Sequence, residues 1–230
     1  MLGGVLIPAA ADPYWSCCLV WNVRNREFGS ALYLGGALVI TAHHLIACNG
    51  QYRVSIPCVH INDKKENSFA VREIIRHEGP ADLCVLLLEH PPPLAASPPR
   101  IATTTEFLSA MSLKSALILC GFGAAWNPPQ NPAEQSGAKR VDEHLFATSY
   151  TETEFTAGGK DPAGQYHDAC KADSGGPVYI KDHTSSLVLI GITSRGLTPL
   201  SGDGGIYTRV DTYSEWIRRP ISFGSRESDM

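Results

Sequence analysis

The chain has 230 residues, of which 43% are hydrophobic, 18% charged and 8% aromatic, a balance that buries a core and excludes a disordered or coiled-coil protein. Nineteen Lys and Arg against 23 Asp and Glu give a formal charge of −4, which leaves no surplus of positive charge for a phosphate backbone or an anionic bilayer. No stretch reaches the roughly 18 apolar residues that span a membrane, and the first residues show no basic segment followed by an apolar core.

Short apolar runs recur between turn residues at 30–41, with the Gly35-Gly36 pair inside it, and at 51–56, 69–75, 84–88, 113–121, 176–180, 187–194 and 205–210. This spacing predicts an all-β protein. Residues 91–99 read Pro-Pro-Pro-Leu-Ala-Ala-Ser-Pro-Pro. Proline donates no backbone hydrogen bond, so this segment stays out of a central strand and is expected to run between two β units, 1–95 and 96–230. Residues 124–141, with Pro128, Pro129, Pro132, Gly137 and the dibasic Lys139-Arg140, read as a long exposed loop. One helix is expected at the end, capped by Asp211, with Tyr213, Trp216 and Ile217 on one face.

The seven cysteines, Cys17, Cys18, Cys48, Cys58, Cys84, Cys120 and Cys170, are odd in number and lack CxxC spacing. Reduced, mostly buried thiols in a cytoplasmic protein are expected rather than a disulfide framework, and neither a metal nor a cofactor. A zinc site on His43, His44, Cys48 and Cys58 would need ligand spacings that match no familiar pattern.

Asp173-Ser174-Gly175-Gly176-Pro177 places a hydroxyl before two glycines that allow a tight turn and a close approach by substrate. A serine becomes a useful nucleophile only when a base takes its proton and a carboxylate fixes that base's tautomer. Thr41-Ala42-His43-His44 follows the strand 34–40, and Ala81-Asp82-Leu83-Cys84 opens another. Each motif alone reads as a turn, a satisfied histidine or a cap; it is their joint order and spacing that need explaining.

In that order and spacing the chain resembles the chymotrypsin/trypsin family of serine proteases, whose triad is a standard template. The gaps of 38 residues from His44 to Asp82 and 92 from Asp82 to Ser174 are close to the family's. The likeness runs from Leu2-Gly3-Gly4 to Tyr207-Thr208-Arg209-Val210 and the last helix. It implies two six-stranded antiparallel β-barrels and a C-terminal helix, with His44 as base, Asp82 orienting it and Ser174 as nucleophile. His43 is the competing base, but the family's Thr-Ala-Ala-His pattern carries its histidine in the fourth place. The resemblance also makes the backbone N–H groups of Ala172 and Ser174 the oxyanion donors. It lines the primary pocket with Asp168, Ser194, Arg195, Gly196 and Gly205, and so implies cleavage after Arg or Lys in a protein or peptide substrate. The regulatory, intracellular endopeptidase read this way has a rival: a catalytically silent relative that keeps the fold as a protein-binding module.

The chain departs from the family pattern in several places. Ala172 stands where active members carry glycine. If that position needs positive φ, alanine costs about 1–2 kcal/mol of strain, and a flipped peptide that avoids it forfeits an oxyanion donor. Arg195 replaces a tryptophan shelf and is expected to favour acidic or polar residues upstream of the cut. Leu34 and Leu45 replace one disulfide pair and Thr156 another half-cystine, while Cys170 has no later cysteine to pair with. Met1-Leu2-Gly3-Gly4 matches the terminus that activation exposes in the family, so the Met1 amine is expected to pair with Asp173 without processing. Lys139-Arg140 is expected to be open to self-cleavage.

Overall fold

The computed structural model describes residues 1–47, 50–125, 136–198 and 202–224, with side chains to residue 220. In the first unit, β2 (Cys17–Asn22), β3 (Phe28–Gly35), β4 (Leu38–Thr41), β5 (Tyr52–Ser55), β6 (Ser68–Arg76) and β7 (Cys84–Leu88) follow a short β1 (Val5–Leu6). The six strands β2 to β7 close into a barrel in the order β2-β3-β4-β7-β6-β5. Successive side chains on a strand face opposite ways, and the barrel uses both faces. Cys18, Val20, Val54, Cys84 and Leu86 fill a core wholly within the first unit. Their neighbours Cys17, Leu19, Val85 and Leu87 face outward into a second core shared with Cys120, Phe122 and Tyr179 of the other unit.

That other unit contains β8 (Arg100–Ile101), α1 (Thr104–Ser112), β9 (Leu117–Gly121), β10 (Arg140–Leu145), β11 (Ala147–Tyr150), β12 (Glu154–Ala157), β13 (Gly159–Lys160), β14 (Tyr166–His167), β15 (Pro177–Lys181), β16 (Leu187–Gly196), β17 (Gly205–Arg209) and α2 (Ser214–Gly224). Its nine-stranded sheet runs β1-β10-β9-β15-β16-β17-β12-β11, with β8 parallel to β16. It curls into a half-barrel, giving with the first unit a chymotrypsin-like fold. Each end of the chain crosses to the opposite unit. Met1 sits in the half-barrel's core, and Ile217 of α2 packs in the shared one. No helix among the described residues is long and apolar enough to cross a membrane.

The structure corrects several expectations. The run 113–121 is not one strand: a helix precedes it, opened by a reciprocal capping box between Thr103 and Glu106, and Leu113 at its end is 78% exposed. That Thr-x-x-Glu signature was present in the sequence. The segment 124–141 is not wholly an exposed loop. Residues 126–135, with Pro128, Pro129 and Pro132, lie outside the described residues, but Lys139 and Arg140 are buried. Lys139 Nζ donates to Asp12 Oδ2 at 2.6 Å and to the Tyr14 carbonyl at 3.2 Å, and Arg140 begins β10. A protease has no access to this dibasic pair in the folded chain. Asp211 does not cap α2 with its side chain, because its carboxylate takes a bidentate bond from Arg209, at 3.1 and 2.6 Å.

Candidate active site

His44 sits in a single 3-10 turn directly after β4, and Asp82 lies two residues before β7. β4 and β7 are paired, with Thr41 opposite Cys84, so the barrel itself brings imidazole and carboxylate together. His44 Nδ1 and Asp82 Oδ2 are 2.7 Å apart, and the His44 backbone N–H donates to Asp82 Oδ1 at 2.9 Å. Ser194 Oγ donates to the same Oδ2 at 2.6 Å. Burial pushes the Asp82 carboxyl up, but bonds from the His44 side chain, Ser194 and the His44 backbone outweigh it and hold the pKa at about 2. His43, the competing base, makes no such contact with Asp82.

Ser174 arrives from the other unit on a turn pressed against the first barrel. Gly175 has φ +79°, and a Cβ there would meet Thr41 Oγ1 at 2.1 Å and the Ser30 carbonyl at 2.2 Å; only glycine fits. Ser30 stitches the turn down. Its N–H donates to the Ser174 carbonyl at 2.9 Å, and its hydroxyl donates to the Ala172 carbonyl at 2.9 Å while accepting from Phe122 N–H. Sequence reasoning missed Ser30, a lone serine within a strand that carries no motif. Ser174 Oγ donates to the Ser194 carbonyl at 3.4 Å. Ser174, His44 and Ala172 line one open cleft of about 600 Å³ that continues past Phe28, Glu27 and Lys171.

Ala172 takes the strained conformation, with φ +74°. The Lys171 carbonyl accepts from Ala124 N–H at 3.2 Å, and because a trans peptide points its N–H opposite its C=O, the Ala172 N–H faces away from Ala124. Of the two alternatives, the positive φ with its strain is the one observed. Among the described residues, neither the Ala172 nor the Ser174 N–H has a hydrogen-bond partner.

Two buried carboxylates flank this turn. Asp173 Oδ2 lies 2.9 Å from the Met1 ammonium, both fully buried. It also accepts from Cys170 N–H at 2.9 Å, and Oδ1 accepts from Gly123 N–H at 2.8 Å. The Met1 nitrogen makes a further short bond to the Ala124 carbonyl. Asp168, 1% exposed, accepts at Oδ2 from Gly202 and Gly204 N–H, at 2.6 and 3.2 Å. Its Oδ1 is buried with no partner among the described residues. Burial raises its pKa more than those backbone bonds lower it. Gly204 leads into Gly205, which faces Gly196 across the β16–β17 ladder. A side chain at Gly205 would run into the Tyr207 hydroxyl at 2.9 Å, and one at Gly196 into the Thr198 carbonyl at 2.7 Å.

Arg195 differs from its expected role. Its guanidinium already makes a bidentate pair with Glu154, at 2.7 and 3.0 Å, so it does not stand as an open cation for an acidic substrate residue. The zinc reading does not assemble: Cys48 lies outside the described residues, Cys58 is buried with its thiol donating to the His60 carbonyl at 3.2 Å, and no three candidate ligands cluster among the described residues. Cys17, Cys18, Cys58, Cys84, Cys120 and Cys170 are free and buried.

A two-unit β fold with a carboxylate-paired imidazole and a serine hydroxyl lining the same cleft as that imidazole has a serine-protease architecture. The trypsin family model matches residues 8–217, and the chain belongs to that family. It is 38% identical to human tissue-type plasminogen activator over 258 aligned positions, covering 94% of this chain and 44% of that protein. It is 28% identical to mouse transmembrane protease serine 11C over 215 positions, covering 88% and 49%. A shorter match, 44% over 62 residues, reaches the CLIP domain-containing serine protease C9 of Anopheles gambiae, covering 27% of this chain and 17% of that protein. The chain spans less than half the length of these relatives.

Proposed function

We propose that the chain is an endopeptidase that cleaves after Arg or Lys through an acyl-enzyme. Ser174 Oγ attacks the scissile carbonyl while His44 Nε2 takes its proton; His44 then protonates the leaving amine, and water, activated by the same imidazole, releases the acyl group. Asp82 holds the imidazole tautomer that leaves Nε2 basic and stabilises the imidazolium as it forms. The N–H groups of Ala172 and Ser174 bind the oxyanion, a donor pair in which each member is worth about 2.7–4 kcal/mol in the transition state. The Met1 amine, paired with Asp173, holds the turn that carries both donors.

The observation that carries this reading is the 2.7 Å contact between His44 Nδ1 and Asp82 at the cleft that Ser174 lines. For specificity, the support is the bare Oδ1 of buried Asp168. A buried carboxylate with one oxygen unbonded, near only an ammonium that Asp173 already pairs among the described residues, favours a cationic ligand. The free thiols of the six described cysteines support work in a reducing compartment, hence an intracellular, regulatory role on a protein substrate.

A serine-directed phosphonate ester bearing a guanidinium tests the reading. The expected result is a single covalent adduct, mapped to Ser174, that is lost in His44→Ala and slowed in Asp168→Asn. An adduct elsewhere, or one indifferent to His44, contradicts it. The silent binding-module reading draws on the present bond of Ser174 Oγ to the Ser194 carbonyl rather than to His44; it predicts no adduct at all.

A further inference from the structure

We propose that Arg195 and Glu154 form a positioning pair that fixes the direction of the Ser194 hydroxyl and, through it, the balance of charge between Asp82 and His44. This rests on the reading of His44 as base and Asp82 as its orienter. Neighbouring residues on a regular strand point to opposite faces, so Ser194 and Arg195 should not meet. The β16–β17 register shifts between Thr193 and Arg195, and such an irregularity re-aims side chains. It brings Arg195 Nη1 within 3.2 Å of Ser194 Oγ.

An arginine only donates, and a hydroxyl has a single proton. With Arg195 donating into its lone pair, Ser194 Oγ directs its proton to Asp82 Oδ2, where the contact is 2.6 Å. The same Oδ2 accepts from His44. The order is therefore Arg195 to Ser194 to Asp82, each donating to the next, with His44 donating from the other side. A bare guanidinium there would oppose the imidazolium that forms during the reaction. Glu154 removes that cost by taking both terminal guanidinium nitrogens, at 2.7 and 3.0 Å, so the pair presents direction without net charge. Its side chains are 52% and 30% exposed, so its contribution to folding stability is small; its role is orientation. Other charged and titratable groups lie around the same centre: His43 beside His44 in sequence, Lys171, Arg26 and Glu27 along the cleft, and Cys84 near Asp82, with Arg76 on the Cys84 side. All are unchanged in the variants below and cancel in the comparison.

The test follows the His44 imidazole signal against pH by NMR in the full chain, with the pH profile of kcat/KM measured alongside. Arg195→Met frees the Ser194 hydroxyl and removes a cation, so the His44 midpoint is expected to rise by a few tenths of a pH unit, the size of one screened charge interaction. Glu154→Gln leaves the cation unneutralised, and the midpoint is expected to fall by a similar amount. Arg195→Lys keeps the charge but loses the fork, and should lie between wild type and Arg195→Met. Shifts of opposite sign support the pair. Unmoved midpoints, or shifts of one sign in both variants, overturn it. Opposed shifts in a protein that hydrolyses nothing would sustain the pair and sink the protease reading. Normal hydrolysis with an unmoved midpoint would do the reverse.

Discussion

Asp173 and Asp168 lie five residues apart in one loop, both removed from water, and they are treated in opposite ways. Asp173 is fully answered: the Met1 ammonium at 2.9 Å and two backbone N–H groups take both its oxygens. Glycine at 121 and 123 makes room, since a Cβ at either would come within 2.4 Å of the carboxylate. Asp168 has one oxygen bonded to two backbone N–H groups and the other bare among the described residues. A buried charge that is fully paired holds a structure in place; one left half paired is a standing cost that only a ligand relieves. The contrast separates the carboxylate that holds the Ser174 turn from the one proposed to receive the substrate's cation.

The largest expected effect comes from removing the paired member. Asp173→Asn strands the Met1 ammonium in the core and is expected to cost about 3–5 kcal/mol of stability, measured by chemical denaturation, with activity falling as the oxyanion turn loosens. Asp168→Asn should do the opposite to the free protein, leaving it as stable or more so, because an unanswered charge is gone. Its loss appears in turnover: kcat/KM for Arg and Lys substrates is expected to fall by about 2–5 kcal/mol of transition-state binding, with Phe substrates spared. A small amidine should raise the melting temperature of wild type but not of this variant. An unstable Asp168→Asn would erase the contrast between the two carboxylates.

A third carboxylate sharpens it. The Asp82 carboxyl is held at about 2, below the ordinary aspartate value of 3.8. Its lowered folded pKa gives stability that is fully present above pH 4 and lost as pH falls through about 2, a loss of about 2 kcal/mol. Asp168, with its pKa raised, contributes the opposite slope, destabilising as pH rises through and above 3.8. Acid unfolding of wild type against Ser194→Ala and Asp168→Asn separates the two slopes. The smallest effect is at Ala172: with φ +74°, Ala172→Gly relieves about 1–2 kcal/mol of strain, read as a higher denaturation midpoint. Because the N–H already faces away from Ala124, activity should rise little.

The strands that build the site were readable from the sequence because β4 and β7, which His44 and Asp82 flank, are short continuous apolar runs bounded by turn residues, the pattern of strands buried on both faces. Helix α1 was hidden because the apolar run at its end resembled a strand beginning. Lys139 could not be placed, since a dibasic pair after a proline-rich run reads as solvent-exposed unless its partner is known, and Asp12 lies 127 residues away. Ser30 and Glu154 act only through contacts distant in sequence, so no local pattern marks them. The Arg195 pair shows the limit well. The sequence reports a cation in place of an apolar shelf; the strand irregularity that turns it toward Ser194 exists only once β16 and β17 are paired.

The central claim is that Ser174, driven by His44, cleaves after a cationic residue drawn to Asp168. Hydrolysis of a matched series of short amide substrates with Arg, Lys or Phe at the cleaved position, compared between wild type and Ser174→Ala, tests it most directly. The account predicts turnover of the Arg and Lys members only, falling by about 10⁶-fold in the variant; preference for Phe, or turnover that survives the loss of the Ser174 hydroxyl, would contradict it.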